Sequence, residues 1–251
     1  MMNKYQRLKN HLKRHSILYL VLLVIVVIGV DLCYFLNTFP AFNLTAVEVR
    51  TNGKIDKATV LEYVNLTAGM NLFDLNLKMI SEKLEKLPEV EKAEARKVFP
   101  GKLLIKIEER EPFAQIRAGQ YYLLDKQGVI LPGRSYGSYA DLPLIAGAGV
   151  QRDKLKAGER CDSMKLTRAL DLLKAISQST SLSLSDVATV NVRFPDDISF
   201  KMKEGLEIKI GRGDFKGKLS LLDRASRDIF SEQKNIKYID LRFGDVIVKP
   251  R

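Results

Sequence analysis

The chain has 251 residues, 41 Lys+Arg against 30 Asp+Glu, and a formal charge of +11. A hydrophobic content of 46% and a charged content of 28% are those of a globular chain and exclude wholesale disorder, while two cysteines exclude a disulfide scaffold or a Cys-rich zinc site. Both histidines, His11 and His15, lie in the first sixteen residues, so Ser-His-Asp, Cys-His and HExxH chemistry lack an imidazole in the body of the chain, and composition points to binding or scaffolding rather than hydrolysis.

Residues 1–16 carry Lys4, Arg7, Lys9, Lys13 and Arg14 and no acid, a basic tail of +5. From Ile17 to Val30 there is no charge, and only Tyr19 and Gly29 are not aliphatic. Asp31 interrupts before Leu32-Cys33-Tyr34-Phe35-Leu36 continues the run. As one helix, residues 17–36 reach ~30 Å, the thickness of a hydrocarbon core. The basic flank is expected to stay in the cytoplasm and the rest to be translocated. A cleavable signal peptide is the rival reading, but no A-x-A-like site follows Leu36. A lipoprotein anchor at Cys33 would need a smaller residue than Leu32 before it, and a buried core helix would need a polar face. The segment therefore reads as a signal anchor. Asp31 either snorkels toward the headgroups or hydrogen-bonds a partner transmembrane helix, because a carboxylate in lipid is costly unless matched.

Setting aside the +5 tail and the −1 of Asp31 leaves +7 for residues 37–251, a mildly basic outer part that could lean on lipid or acidic partners. It has no Lys/Arg cluster with interleaved aromatics, so nucleic acid is not expected as a ligand. Cys161 is its only cysteine, so no structural bridge is expected.

Residues 37–41 read as a short linker. Residues 42–50 read as a strand in which Val47 and Val49 alternate with Glu48 and Arg50, ended by the turn signal Thr51-Asn52-Gly53. Asp56 caps a helix over 57–64 with Val60, Leu61 and Val64 on one stripe. After Gly69, Met70-Asn71-Leu72-Phe73 forms an apolar plug, and Asp74 or Asn76 caps a second helix carrying Leu77, Ile80, Leu84 and Leu87, stopped by Pro88. Residues 90–98 and 103–107 form a hairpin around Phe99-Pro100-Gly101. The order β-α-α-β-β predicts a two-layer domain over 42–112.

From Phe113 the pattern becomes short strands: 113–117, 121–125, 129–131 and 142–145, then 187–194, 198–202, 206–210, 238–242 and 246–248. Helices are predicted over 164–176 and from Asp214 to Phe230, with a Ser-rich loop over 177–185. This predicts a mainly antiparallel β domain over 113–251 with two covering helices, and an α+β fold overall. Gly211-Arg212-Gly213 lacks the third glycine and the βαβ setting of a phosphate loop, and Arg212-Gly213-Asp214 reads as helix capping. The pairs Glu108/Glu109 and Asp196/Asp197 are adjacent and point apart, so no acid/base pair, metal site or cofactor site is identifiable.

The motifs Val47-Glu48-Val49-Arg50-Thr51-Asn52-Gly53, Gly69-Met70-Asn71-Leu72-Phe73, Leu87-Pro88-Glu89-Val90-Glu91-Lys92-Ala93, Phe99-Pro100-Gly101-Lys102-Leu103 and Glu109-Arg110-Glu111-Pro112 together resemble a POTRA domain. The resemblance is closest to the FtsQ/DivIB family, bitopic bacterial division proteins. Leu123–Val129 resembles the opening of that family's β domain, and Ile208–Arg212 and Tyr238–Phe243 resemble its late strands.

The resemblance implies a non-enzymatic divisome scaffold in the cytoplasmic membrane, at the septum. It implies a POTRA domain for recruitment and a β domain that holds partners of the FtsB/FtsL (DivIC) type. The last segment, Val246-Ile247-Val248-Lys249-Pro250-Arg251, is expected to leave a strand at a sheet edge, where free N–H and C=O groups template another strand, or where Lys249 and Pro250 block one. Family members dock the FtsB-type partner there by strand addition, which maps onto Arg242, Phe243, Gly244, Asp245 and Val246 and runs on into Ile247 and Val248. Phe243 stands where the family commonly carries Tyr. An outer-membrane assembly or secretion POTRA protein and a membrane-tethered envelope enzyme are the alternatives. The first requires many alternating barrel strands and the second a convergent nucleophile and base.

Overall fold

The computed structural model describes residues 4–231 and 236–250. Two compact units divide the chain: the first takes everything up to Leu84 together with Lys92–Glu108, the second Glu85–Glu91 and everything from Glu109 on.

The first unit opens with one long helix, α1 (Lys4–Thr38). Its Ser16–Thr38 portion is long and apolar enough to cross a membrane, and its apolar stretch is not buried in the protein. The helix runs through Asn37 and Thr38, where a linker was expected, and a 3-10 turn at Pro40–Phe42 follows at once. Then come β1 (Ala46–Thr51), α2 (Lys57–Val64), α3 (Leu77–Leu84), β2 (Val90–Val98) and β3 (Lys102–Glu109), the predicted β-α-α-β-β order. The sheet order is β1-β3-β2, with β1 parallel to β3 and Ala46 beside Lys102.

Local chemistry places these elements. Asp56 accepts the Thr59 amide at 2.9 Å and starts α2, and Asn65 ends it in the left-handed conformation. Of the two candidate caps for α3, Asn76 serves, accepting the Met79 amide at 3.0 Å. Central β3 buries alternate residues Leu103, Ile105 and Ile107, and the two helices bury Val60, Val64, Ile80 and Leu84. The predicted first strand begins late: residues 42–45 are held instead by irregular bonds, Leu44 N–H to Met70 O at 2.7 Å and Thr45 N–H to Gly101 O at 2.8 Å.

Among the described residues, the second unit is a nine-stranded sheet with two α-helices. Its strands are β4 (Ala114–Ala118), β5 (Gln120–Leu124), β6 (Ile130–Ser135), β7 (Leu144–Ala146), β8 (Val187–Asn191), β9 (Ser199–Met202), β10 (Glu207–Lys209), β11 (Ile236–Asp240) and β12 (Ile247–Pro250). Helix α4 (Met164–Ile176) lies between β7 and β8, and α5 (Phe215–Ser231) between β10 and β11. The sheet order is β12-β11-β10-β9-β8-β7-β4-β5-β6.

Three strand pairs are parallel, β4/β7, β7/β8 and β10/β11, and five are antiparallel. Parallel neighbours need a long crossover, and α4 and α5 provide it for β7/β8 and β10/β11. Leu166, Leu170, Leu173 and Ile176 of α4 and Leu219 and Leu222 of α5 share one buried cluster with Ile116, Val190, Phe200, Ile208 and Ile239 of the sheet. The Ser-rich loop is pinned to α5: Asp223 accepts bonds from the Ser179 and Ser181 hydroxyls and from the amides of Thr180 and Ser181. Burial would raise the Asp223 pKa, but these bonds outweigh it and hold the carboxyl below its usual range. At the start of the unit, nearly buried Asp125 accepts the Arg110 guanidinium at 2.6 Å and the amides of Gln127 and Val129 at 2.8 Å, which fixes the turn into β6.

Candidate functional site: an open sheet edge

The sequence-predicted binding residues fall on the corner between β11 and β12 and on β12 itself. β11 is parallel to β10, with Glu207, Ile208 and Lys209 beside Tyr238, Ile239 and Asp240. β12 then folds back antiparallel, placing Ile247 opposite Asp240, Val248 opposite Ile239 and Lys249 opposite Tyr238.

Arg242 and Asp240 lock the corner. The guanidinium donates to both Asp240 oxygens, from Nε to Oδ1 at 2.9 Å and from Nη2 to Oδ2 at 2.6 Å, while Nη1 reaches Asp197 Oδ1 at 2.9 Å in the turn before β9. The Arg242 amide donates to Asp240 Oδ1 at 3.1 Å, and the Leu241 amide to Lys209 O at 2.8 Å. Arg242's hydrogen bonds hold the nearly buried Asp240 carboxyl below its usual range, against the opposing effect of burial. The same bonds raise the Arg242 pKa further. Gly211 gives this arginine its room: φ is +66°, and a Cβ there would come within 3.0 Å of Arg242 Cγ. Lys218 donates to Ile210 O at 2.7 Å and Arg212 O at 2.8 Å, bracketing that glycine, and burial pulls its pKa down.

Beyond the lock the residues differ in kind. Phe243 is 71% exposed, with the Arg242 guanidinium 5.3 Å from its ring centre. Gly244, at φ +85°, makes the turn, and Asp245 is exposed. Val246 precedes the strand and packs half-buried against the core, so it is less a free edge residue than the sequence suggested. Ile247 and Val248 are exposed, at 49% and 38%, on a strand with no buried residue.

Among the described residues β12 pairs with β11 alone. The other end of this sheet is partly covered by its own chain, since Ile130 of β6 exchanges bonds with Gly158 and Glu159. The edges of the small sheet carry charges, Glu48 and Arg50 on β1 and Glu94 and Arg96 on β2, which discourage pairing. β12 alone among these edges offers adjacent exposed aliphatic residues. On one face Tyr238 lies between two ammonium groups, Lys209 Nζ at 4.5 Å and Lys249 Nζ at 5.9 Å from its ring centre, tying β10, β11 and β12 together. Sequence reading missed this ladder, because its members meet only through the pairing register.

Asp31 lies exposed on α1 and makes no hydrogen bond or ion pair with the described residues. An open cleft of about 740 Å³ between α4 and the start of α5 is lined by Arg168, Asp171, Lys174, Arg212, Asp214 and Lys216. Its carboxylates are engaged structurally: Asp171 pairs with Lys174, and Asp214 caps α5 through the Gly217 amide. Among the described residues no group of three His, Cys, Asp or Glu is placed to hold a metal ion.

Comparison with known proteins follows the same division. The family model for the "POTRA domain, FtsQ-type" matches residues 42–110, and that for "Cell division protein FtsQ/DivIB, C-terminal" matches residues 113–242. The cell division protein FtsQ of Syntrophotalea carbinolica is 28% identical over 79% of this chain and 70% of its own length. FtsQ of Geotalea daltonii is 26% identical over 82% and 75%, and DivIB of Clostridium acetobutylicum 26% identical over 69% and 76%.

Proposed function

Given that this chain belongs to the FtsQ/DivIB family of cell division proteins, we propose that it is a non-enzymatic scaffold that holds other division proteins by completing its sheet at β12. The partner is a bitopic protein of the FtsB/DivIC type, with or without an FtsL-type companion, and it contributes a strand. The observation that carries this reading is that β12 pairs, among the described residues, with β11 alone and exposes Ile247 and Val248 along it. Main-chain bonds would supply affinity, and side chains at the corner, Phe243 first among them, would supply choice. The Arg242–Asp240 lock keeps that corner in one shape before binding, which lowers the ordering cost of association.

In this reading residues 1–16 stay in the cytoplasm, α1 crosses the inner membrane, residues 42–112 form a POTRA domain that recruits partners near the membrane, and residues 113–251 form the β domain. Asp31 turns toward the headgroups or meets a partner helix. The protein works at the division septum without metal or cofactor.

A photo-crosslinking amino acid at position 247 or 248 of the full-length protein in dividing cells tests this. The expected product joins the chain to a small bitopic protein. Crosslinks to such a protein from β1 or β2 positions but not from 247 or 248 would move the binding surface elsewhere.

A further inference from the structure

Three separated segments bring phenylalanines together at the C-terminal end of α1. Phe35 lies within the apolar span and stacks on Phe39, ring centres 4.8 Å apart. Phe39 meets Phe42 at 6.0 Å, and Phe42 meets Phe73 edge-on at 5.2 Å and Phe99 edge-on at 6.0 Å. Phe73 and Phe99, from the loop before α3 and the β2–β3 turn, are 5.4 Å apart. The chain of rings is continuous, yet it is not a core: Phe99 is 54% exposed, Phe39 44% and Phe73 37%, with Met70 and Val98 exposed beside them.

The cluster is also fixed to the span. Asn71 is nearly buried and donates its Nδ2 to the last carbonyls of α1, Leu36 O at 3.1 Å and Asn37 O at 2.9 Å. Its Oδ1 accepts the Phe73 amide at 2.8 Å, so one side chain ends the helix and sets the aromatic loop. Basic residues flank the rings: Lys97 Nζ donates to Phe73 O at 3.3 Å, and Lys102 is exposed just after the β2–β3 turn.

We propose that this aromatic tip, Phe39, Phe42, Phe73 and Phe99 with Met70, seats the first unit in the lipid headgroup and upper acyl region of the membrane that α1 crosses. The inference rests on the reading of α1 as a membrane span. Its occupant is the bilayer because the rings continue without a break from Phe35 inside the span, and because apolar rings beside lysines are the combination with which interfacial segments insert at the headgroup and acyl boundary. The first unit is then held at a set height and tilt rather than hanging from a linker.

The chain contains no tryptophan, so single Trp variants of the full-length protein in phosphatidylethanolamine/phosphatidylglycerol vesicles report depth through quenching by brominated acyl chains. Phe99→Trp and Phe73→Trp are expected to lose at least half their emission to lipids brominated near the headgroup and less to those brominated near the chain end. Val27→Trp, midway along the span, should show the reverse order. Thr51→Trp lies about 17 Å further along β1 than Ala46, whose amide bonds Gly101 of the tip, and should be quenched by neither. If Val27→Trp is quenched while Phe99→Trp and Phe73→Trp behave like Thr51→Trp, the seating is wrong and the span stands. If Val27→Trp itself is not quenched, the span reading falls and the seating falls with it.

Discussion

Replacing Ile247 and Val248 by proline, one at a time, separates the outer side of β12 from its inner side. Along an antiparallel strand successive N–H groups point to opposite sides, so one of these two residues donates toward β11 and the other toward the open edge. A strand added to four residues gains two to three main-chain bonds, worth about 1 kcal/mol each. Proline at the outward position removes one donor and sets a ring against the incoming strand, a loss of about 1–3 kcal/mol, or roughly 5- to 150-fold in Kd. Proline at the inward position instead removes a bond to β11, and amide exchange at 236–240 should quicken by a similar factor. Two readouts on the full-length protein in nanodiscs check this: titration with the partner captured by crosslinking, and hydrogen–deuterium exchange. The expected pattern is crossed, with one variant weak in binding and native in exchange, the other fast in exchange. Unchanged affinity in both variants would refute strand addition. Val246 does not serve this purpose, because it packs against the core and a proline there changes folding and binding together.

Asp240→Asn should speed exchange at the Leu241 and Arg242 amides about tenfold at pH 7, since it weakens charge-assisted bonds of roughly 1.5–3 kcal/mol. The Asp240 pKa is depressed in the folded state, so its contribution is complete above the ordinary carboxylate value near ~4 and is lost as pH falls through the folded value; the difference between Asp240→Asn and the parent should therefore narrow at low pH. Asp223→Ala removes the acceptor for four loop bonds and should release residues 179–181 to rapid exchange while leaving the corner at Arg242 unchanged.

Elements set by local chemistry were readable in advance. The predicted limits of α2 and α4 match the observed helices, because Asp56 caps the start of α2 and the apolar stripes of both have helical spacing; in the structure Ser163 caps α4 as well. The β2–β3 hairpin was readable from alternation around a Pro-Gly turn. Where bonds to distant parts of the chain override alternation, the sequence misleads: residues 42–45 carry a strand-like pattern but are held by the backbone carbonyls of Met70 and Gly101. The end of α1 was misplaced for the same reason. Asn37 and Thr38 look like a helix stop, yet Asn71, more than thirty residues away, satisfies the carbonyls that would otherwise favour fraying.

The edge proposed for binding was legible as a late strand but not as a shape. That a late Val-Ile-Val run forms a strand follows from composition; that it pairs, among the described residues, on one side only follows from sheet order, which depends on two helical crossovers that no local pattern encodes. Arg242, Phe243 and Val246 look alike as members of one motif. The fold gives them different work: Arg242 is spent on Asp240 and Asp197 of its own chain, Val246 is half in the core, and Phe243 alone of the three is left outward. A docking strand of the kind proposed for β12 needs its corner fixed from behind if it is to stay open without recruiting wrong partners. Substitutions at Asp240 or Asp197 should therefore alter binding without touching the edge, because they loosen the turn that presents Phe243 and Ile247 rather than any group a partner strand would contact.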